Sequence, residues 1–177
     1  MKIHLLLLLL FLCCSFLQAE VQFKKVTSDE LPEFKDRLVT FYCEQLVLAG
    51  LAESVESIRE MATFEFEEEP GEEYNYLQLA SDDLSTPYGL LFYSIQDHTA
   101  SLNAIYLEPQ FRGQGFGKEA LQKLEVELKN REIEAIRLYV YMFNQVALQL
   151  YNNLGYAVET TYSIGDTPIG CHMRKDL

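Results

Sequence analysis

Residues 106–117 read Tyr-Leu-Glu-Pro-Gln-Phe-Arg-Gly-Gln-Gly-Phe-Gly, joining an apolar strand to an amphipathic helix. The strand carries Leu102, Ile105 and Leu107 and stops before Pro109, which cannot donate to a ladder. Gly113, Gly115 and Gly117 follow at alternate positions. Lacking a Cβ, they let the backbone turn tightly and let a ligand come close to it. The helix behind them begins with N–H groups that have no intrahelical partner and with a partial positive charge. The segment therefore reads as a cradle for a pyrophosphate.

Two common phosphate binders fail on spacing. The dinucleotide fingerprint needs Gly-x-Gly-x-x-Gly, but Gly117 arrives one residue early and Lys118 follows it. A P-loop needs Gly-Lys-Ser or Gly-Lys-Thr, but Gly117-Lys118 is followed by Glu119. A second block lies downstream, Asn144-Gln-Val-Ala147-Leu-Gln-Leu150-Tyr151-Asn-Asn-Leu154-Gly155-Tyr156. Arg112 to Gly117 resembles the Arg/Gln-x-x-Gly-x-Gly/Ala acetyl-CoA loop of the GNAT superfamily of N-acyltransferases. The downstream block resembles that family's Asn-x-x-Ala-x-x-Leu-Tyr-x-x-Leu-Gly-Tyr/Phe pattern at every anchor. The two stand in the family's order with one helix and one strand between them, and the resemblance extends over roughly residues 21–177.

Composition narrows the partners. With 177 residues and 49% apolar content, the chain suits one domain with an ordinary core. A formal net charge of −13 argues against nucleic acid, because no basic surface is available to displace counterions from phosphates. Acidic residues are densest at Glu65, Glu67, Glu68, Glu69, Glu72 and Glu73. Two readings of this run are open: a solvated loop, or a negative rim that attracts a cationic amine. Past the first 19 residues only Cys43 and Cys171 remain, too few and too far apart for a disulfide framework or a metal site. They are expected as buried thiols. His98 and His172 are isolated in the sequence, and no metal is expected.

Residues 1–19 resemble a secretory signal peptide. Lys2 supplies a positive start, Ile3 to Leu12 is apolar apart from His4, and Cys13, Cys14, Ser15 and Ala19 are small enough for cleavage. The run is shorter than the roughly 20 apolar residues a span needs. Export is the expected destination, with residues 20–177 as the folded domain. A misassigned start would instead leave the chain in the cytoplasm, and an uncleaved leader would be its one route to a membrane. Acetyl-CoA is a cytosolic metabolite, so an exported enzyme would need another compartment to supply it.

The hydrophobic pattern predicts a strand over Val21–Val26, then a helix capped by Asp29 with Pro32 in its first turn, running to about Ala49. A second helix is expected from Ser54 to about Phe66. The strands Tyr74–Ala80, Tyr88–Gln96 and Ala100–Leu107 follow, the last two turning at Asp97-His98-Thr99. The helix from Phe116 to about Arg131 carries Glu119/Lys123, Glu125/Lys129 and Glu127/Arg131, each a favourable i,i+4 pair. A strand over Ile136–Met142, a helix over Gln145–Leu154 capped by Asn144, and a hairpin of Ala157–Tyr162 and Ile169–Arg174 complete the chain. The order β-α-α-β-β-β-α-β-α-β-β is that of the GNAT fold. It implies an α/β (α+β) domain with a central mixed, mostly antiparallel sheet and helices on both faces.

The resemblance implies transfer of an acetyl group from acetyl-CoA to a primary amine of a small molecule or peptide. Cationic acceptors such as polyamines, amino-sugars or lysine-like groups fit the acidic balance, and a homodimer is compatible with the family. A degenerate GNAT fold that binds CoA or a partner without turnover is the alternative. Cofactor contacts are implied for Leu107, Asn144 and the run Arg112, Gly113, Gln114, Gly115, Phe116, Gly117 and Lys118. Leu107 would act through its backbone N–H on the thioester carbonyl, an oxyanion-hole arrangement. Tyr151 lies two helical turns after Asn144, on the same face, and is the candidate general acid. It also reads as an aromatic packing beside Leu150 and Leu154. No general base stands out. Ser101, Asn103 and Ala104 occupy the stretch in which many family members carry a carboxylate, which leaves Glu108, a water chain, Tyr74 to Tyr76 or the acidic loop.

Overall fold

The strand that ends at Leu107 is bonded to its two neighbours over unequal lengths, and this inequality organises the domain. The computed structural model describes residues 20–64 and 70–177. In it β4 (Thr99–Leu107) pairs antiparallel with β3 (Pro87–Gln96) along its whole length, from Gln96↔Thr99 to Gly89↔Leu107. Its other neighbour, β5 (Ala135–Tyr141), runs parallel to it and is bonded only from Thr99↔Ala135 to Leu102↔Leu138. At that point β4 carries a bulge. Tyr93 pairs with Leu102 and Phe92 with Ala104, so Asn103 is the extra residue that bends the strand.

The remaining strands are β1 (Gln22–Lys25), β2 (Glu73–Ala80), β6 (Ala157–Ile164) and β7 (Thr167–Asp176). Together they make a seven-stranded sheet in the order β1-β2-β3-β4-β5-β7-β6, antiparallel everywhere but between β4 and β5. A two-residue turn with Asp97 at φ +46° and His98 at φ +62° joins β3 to β4, the left-handed backbone that matches hairpin twist. Helices cover both faces. On one, Phe34 and Leu38 of α1 (Leu31–Leu48) pack on Leu90 and Phe92. Because side chains alternate along a strand, Leu91 and Tyr93 point the other way. There they meet Leu121, Leu124 and Leu128 of α3 (Phe116–Asn130) and Leu154 just beyond α4 (Gln145–Asn153). A further helix, α2 (Val55–Phe64), packs Ala62 against Val39 and Cys43 of α1. Cys43 and Cys171 are buried free thiols in separate clusters.

Three expectations change. Asp29 is not the cap of α1: that position belongs to Glu30, which makes no capping bond. Its carboxylate instead accepts from Lys24 Nζ at 2.7 Å and from the Thr27 N–H at 3.0 Å, with Lys24 the larger cause of a pKa lowered to about 2. The three intrahelical ion pairs expected on α3 do not form either, because nearby strands offer partners. Glu119 accepts from the Val21 N–H at 2.6 Å, Lys123 donates to the Val21 carbonyl at 3.0 Å, and Glu125 pairs with Lys175 at 2.5 Å. Arg131 grips both carboxylate oxygens of Glu73 at 2.8 and 2.7 Å, so the last member of the acidic run is an ion-pair partner at the start of β2. The second helix is seen to Phe64, and its expected end at Phe66 lies outside the described residues. So do residues 1–19 and Glu65, Glu67, Glu68 and Glu69.

Candidate active site

Beyond Leu102 and Leu138 the two central strands part, and β4 runs on for five residues without its parallel neighbour. Ladder register decides which way its backbone points. The Glu108 N–H donates to the Tyr88 carbonyl at 2.9 Å, so alternate residues face β3 and Leu107 faces away from it. The Leu107 carbonyl accepts from Arg112 Nε at 2.9 Å on that outer side. Its N–H is therefore directed into the gap that β5 has left.

The glycine segment sits at the end of this gap. After a short 3₁₀ turn at Pro109–Phe111, Gly113 takes φ +72° and Gly115 takes φ +94°, a backbone that side chains rarely adopt. A Cβ built on either would touch no protein atom within 4 Å, so the space above the loop is open. Gly115 caps α3 in the left-handed conformation without a side-chain bond to the first-turn N–H groups. Arg112 and Gln114 fold back on the loop: Arg112 lies 5.3 Å over the Tyr106 ring, and Gln114 donates to the Gln110 carbonyl at 2.6 Å. The opening above the loop is thus bounded by backbone N–H groups and a helix start, with Phe116, Gly117 and Lys118 forming its first turn. These features fit an anionic pyrophosphate. A Cβ on Gly117 would lie 3.6 Å from both Leu107 and Leu150, which ties the loop to the strand end and to α4.

The parting of the strands also opens a cleft of about 690 Å³ through the sheet. On the α4 side its wall includes Asn144, Ala147 and Tyr151. Asn144 caps α4, its Oδ1 accepting from the Ala147 N–H at 3.1 Å. Tyr151 is 6% exposed, its hydroxyl has no hydrogen-bond partner among the described residues, and its pKa is pushed up to about 12 by burial alone. On the α1 side the wall includes Tyr42, Tyr139, Tyr141 and His172. No motif in the sequence marks these four for the site. The alternation of Tyr139 and Tyr141 with the core residues Leu138 and Val140 was the available signal. Leu107 and Arg112 to Lys118 do not line the cleft itself; they flank it at the end of β4.

Glu108 is committed elsewhere. Its Oε1 pairs with Arg37 of α1 at 2.7 Å and its Oε2 accepts from the Tyr106 hydroxyl at 3.3 Å, away from the cleft wall.

A parted central strand pair beside a glycine loop at a helix start makes a mixed α/β scaffold with an open cradle for an anionic ligand. A model of the "Acetyltransferase (GNAT) family" matches residues 37–156, and the chain belongs to this family. Acetyl-CoA is the acyl donor of the family. The chain is 31% identical over 98 residues to a thialysine N-epsilon-acetyltransferase of Bos taurus, covering 48% of this chain and 58% of that protein. It is 31% identical over 86 residues to the ribosomal protein bS18-alanine N-acetyltransferase of Salmonella typhimurium, covering 49% and 57%. It thus spans about half the length of the curated relatives it matches. The PaiA N-acetyltransferase of Thermoplasma acidophilum, solved in complex with coenzyme A, has the same fold, with a TM-score of 0.63 at 24% identity over 89% of this chain and 99% of that one.

Proposed function

We propose that this chain transfers an acetyl group from acetyl-CoA to a primary amine that arrives as an ammonium ion. The observation that carries the reading is the gap between β4 and β5, with the Leu107 N–H directed into it, the glycine cradle at its end and Tyr151 in its wall. Acetyl-CoA supplies the activated thioester. The backbone of Arg112 to Lys118 holds the pyrophosphate, and Asn144 serves both as cap of α4 and as a polar contact for the pantetheine arm. The Leu107 N–H donates to the thioester carbonyl, where negative charge develops. The ammonium first gives one proton to water, and the neutral nitrogen then attacks the thioester carbonyl carbon. As the C–S bond breaks, Tyr151, a neutral phenol at physiological pH, hands its proton to the departing sulfur and recovers one from the acylated nitrogen. Burial disfavours a phenolate and a thiolate alike, so the raised pKa of the acid does not by itself oppose this transfer.

The relatives named above act on an N-epsilon amine and on a protein alanine, which supports an amine acceptor without fixing which one. The net charge of −13 favours a cation. Release of CoA thiol, followed for a panel of amines, tests the reading. Amine-dependent release supports it. CoA binding without release for any amine would leave a CoA-binding fold without turnover.

A further inference from the structure

We infer that the acceptor is a monoamine with an apolar or aromatic body, held by the tyrosine rings on the α1 side of the cleft, rather than a polyamine held by carboxylates. The inference rests on the acetyl-transfer reading and narrows the acceptor at the same site.

Tyr139 and Tyr141 project from β5 to the face on which Tyr42 of α1 lies, 3.4 Å from the Tyr141 hydroxyl. Their rings meet edge to face, with centroids 5.1 Å apart at 89°. His172, the cross-strand partner of Tyr139 on β7, stands edge to face with it at 5.5 Å and 85°. Tyr162 closes the outer side, 6.0 Å from Tyr139 and 5.2 Å from His172, its hydroxyl 3.3 Å from His172 Nδ1. The cluster is built rather than incidental. A Cβ on Gly170 would fall 2.1 Å from the Tyr139 hydroxyl oxygen, so the phenol occupies space that any other residue at 170 would fill.

Charge on this wall has one sign. Among the described residues no carboxylate lines the cleft, whereas Arg137 does, its charge partnered by Glu159 at 2.9 Å. A polyamine brings two or more ammonium groups, and its second one would meet no carboxylate among the described residues that line the cleft, only an arginine already paired with Glu159. A single ammonium needs less. Aromatic faces attract it through their quadrupoles, and the same rings bury the apolar body behind it. Because the cleft joins this wall to Asn144 and Tyr151, an amine seated among the rings has a path between the parted strands to the acyl group.

The test uses the full chain with saturating acetyl-CoA and compares phenethylamine and hexylamine with spermidine. The monoamines are expected to exceed spermidine in kcat/KM by about tenfold or more. Y139L, which keeps bulk but removes the aromatic face, should raise KM for phenethylamine by a similar factor and leave CoA affinity unchanged. Y139F should restore it. G170A should resemble Y139L by displacing the phenol. A preference for spermidine, or an unchanged KM in Y139L, overturns the inference. Calorimetric binding of phenethylamine and spermidine to the CoA-loaded protein keeps the two readings separate. If no amine is acetylated, acetyl transfer fails, while tighter binding of phenethylamine still supports the aromatic wall and tighter binding of spermidine refutes it.

Discussion

Replacing Tyr151 by Phe removes one oxygen from a side chain that is otherwise packed in place, and the structure sets two separate magnitudes for the result. The first concerns stability. An ordinary phenol ionises near pH 10, whereas burial holds this one to about 12. The folded chain keeps the proton over a pH range in which the unfolded chain has lost it, so stability is full below about pH 10 and falls as pH rises towards 12. By pH 11 the loss attributable to Tyr151 is about 1.4 kcal/mol, one tenfold step in the ionisation equilibrium. Urea unfolding at pH 8 and pH 11 should therefore show a smaller alkaline loss for the Phe variant, by roughly that amount. The second magnitude concerns rate. If the hydroxyl protonates the departing sulfur, kcat should fall by about 10²–10⁴, with CoA affinity unchanged. A kcat within about twofold of the parent, alongside the altered alkaline limb, would mean that the ring is a packing element and that another group supplies the proton.

Gly115→Val should abolish most CoA affinity by calorimetry, because its branched Cβ enters the open space above the loop. It should also cost about 1–3 kcal/mol of stability from a φ of +94°, and unchanged CoA affinity would refute the cradle. Asn144→Ala should destabilise the fold by about 0.5–2 kcal/mol through loss of the cap on α4. A CoA affinity equal to the parent's would restrict Asn144 to capping. Glu67, Glu68 and Glu69 changed together to Gln should lower kcat/KM for ammonium acceptors at low salt and leave it unaltered at high salt, since steering fades beyond a Debye length of about 8–10 Å. A kinetically silent triple variant at low salt would make the acidic run a solvated loop.

Local chemistry was the legible part of this chain. The glycine run, the Asn144 cap and the hairpin turns are each decided within a few residues, and each stands where the sequence put it. Features that depend on which strand passes a helix were not legible. The i,i+4 partners on α3 looked sufficient, yet β1 and β7 run alongside and offer backbone and lysine partners instead. Asp29 had the right chemistry for a cap one residue too early, because Glu30 was drawn back to Lys24 and Thr27. The aromatic wall was hidden for the same kind of reason. Tyr139 and His172 are 33 residues apart in the chain and become neighbours only through the register of β5 on β7.

Backbone bonding explains why the gap can exist at all. A strand that leaves a sheet interior strands its N–H and C=O groups, and burying them without partners costs free energy. Here each of the parting strands keeps one ladder along its length, interrupted on β4 only by the Asn103 bulge. β4 is paired with β3 through Leu107, and β5 is paired with β7 from Ala135↔Asp176 to Tyr141↔Gly170, a run the Met142 N–H extends to the Ile169 carbonyl at 2.9 Å. Only the inner edges lose partners, and one of those losses is already made good, because Arg112 Nε takes the Leu107 carbonyl. What remains at the end of β4 is the Leu107 donor facing the gap with its own acceptor occupied. An acyl carbonyl is the complementary group, and the same arginine that occupies the strand's acceptor begins the loop expected to hold the acyl carrier. Substituting Arg112 by Leu should therefore do more than weaken CoA binding. It should free the Leu107 carbonyl and lower kcat as well as affinity, whereas an arginine acting only on phosphate would raise KM for acetyl-CoA and leave kcat at saturation intact.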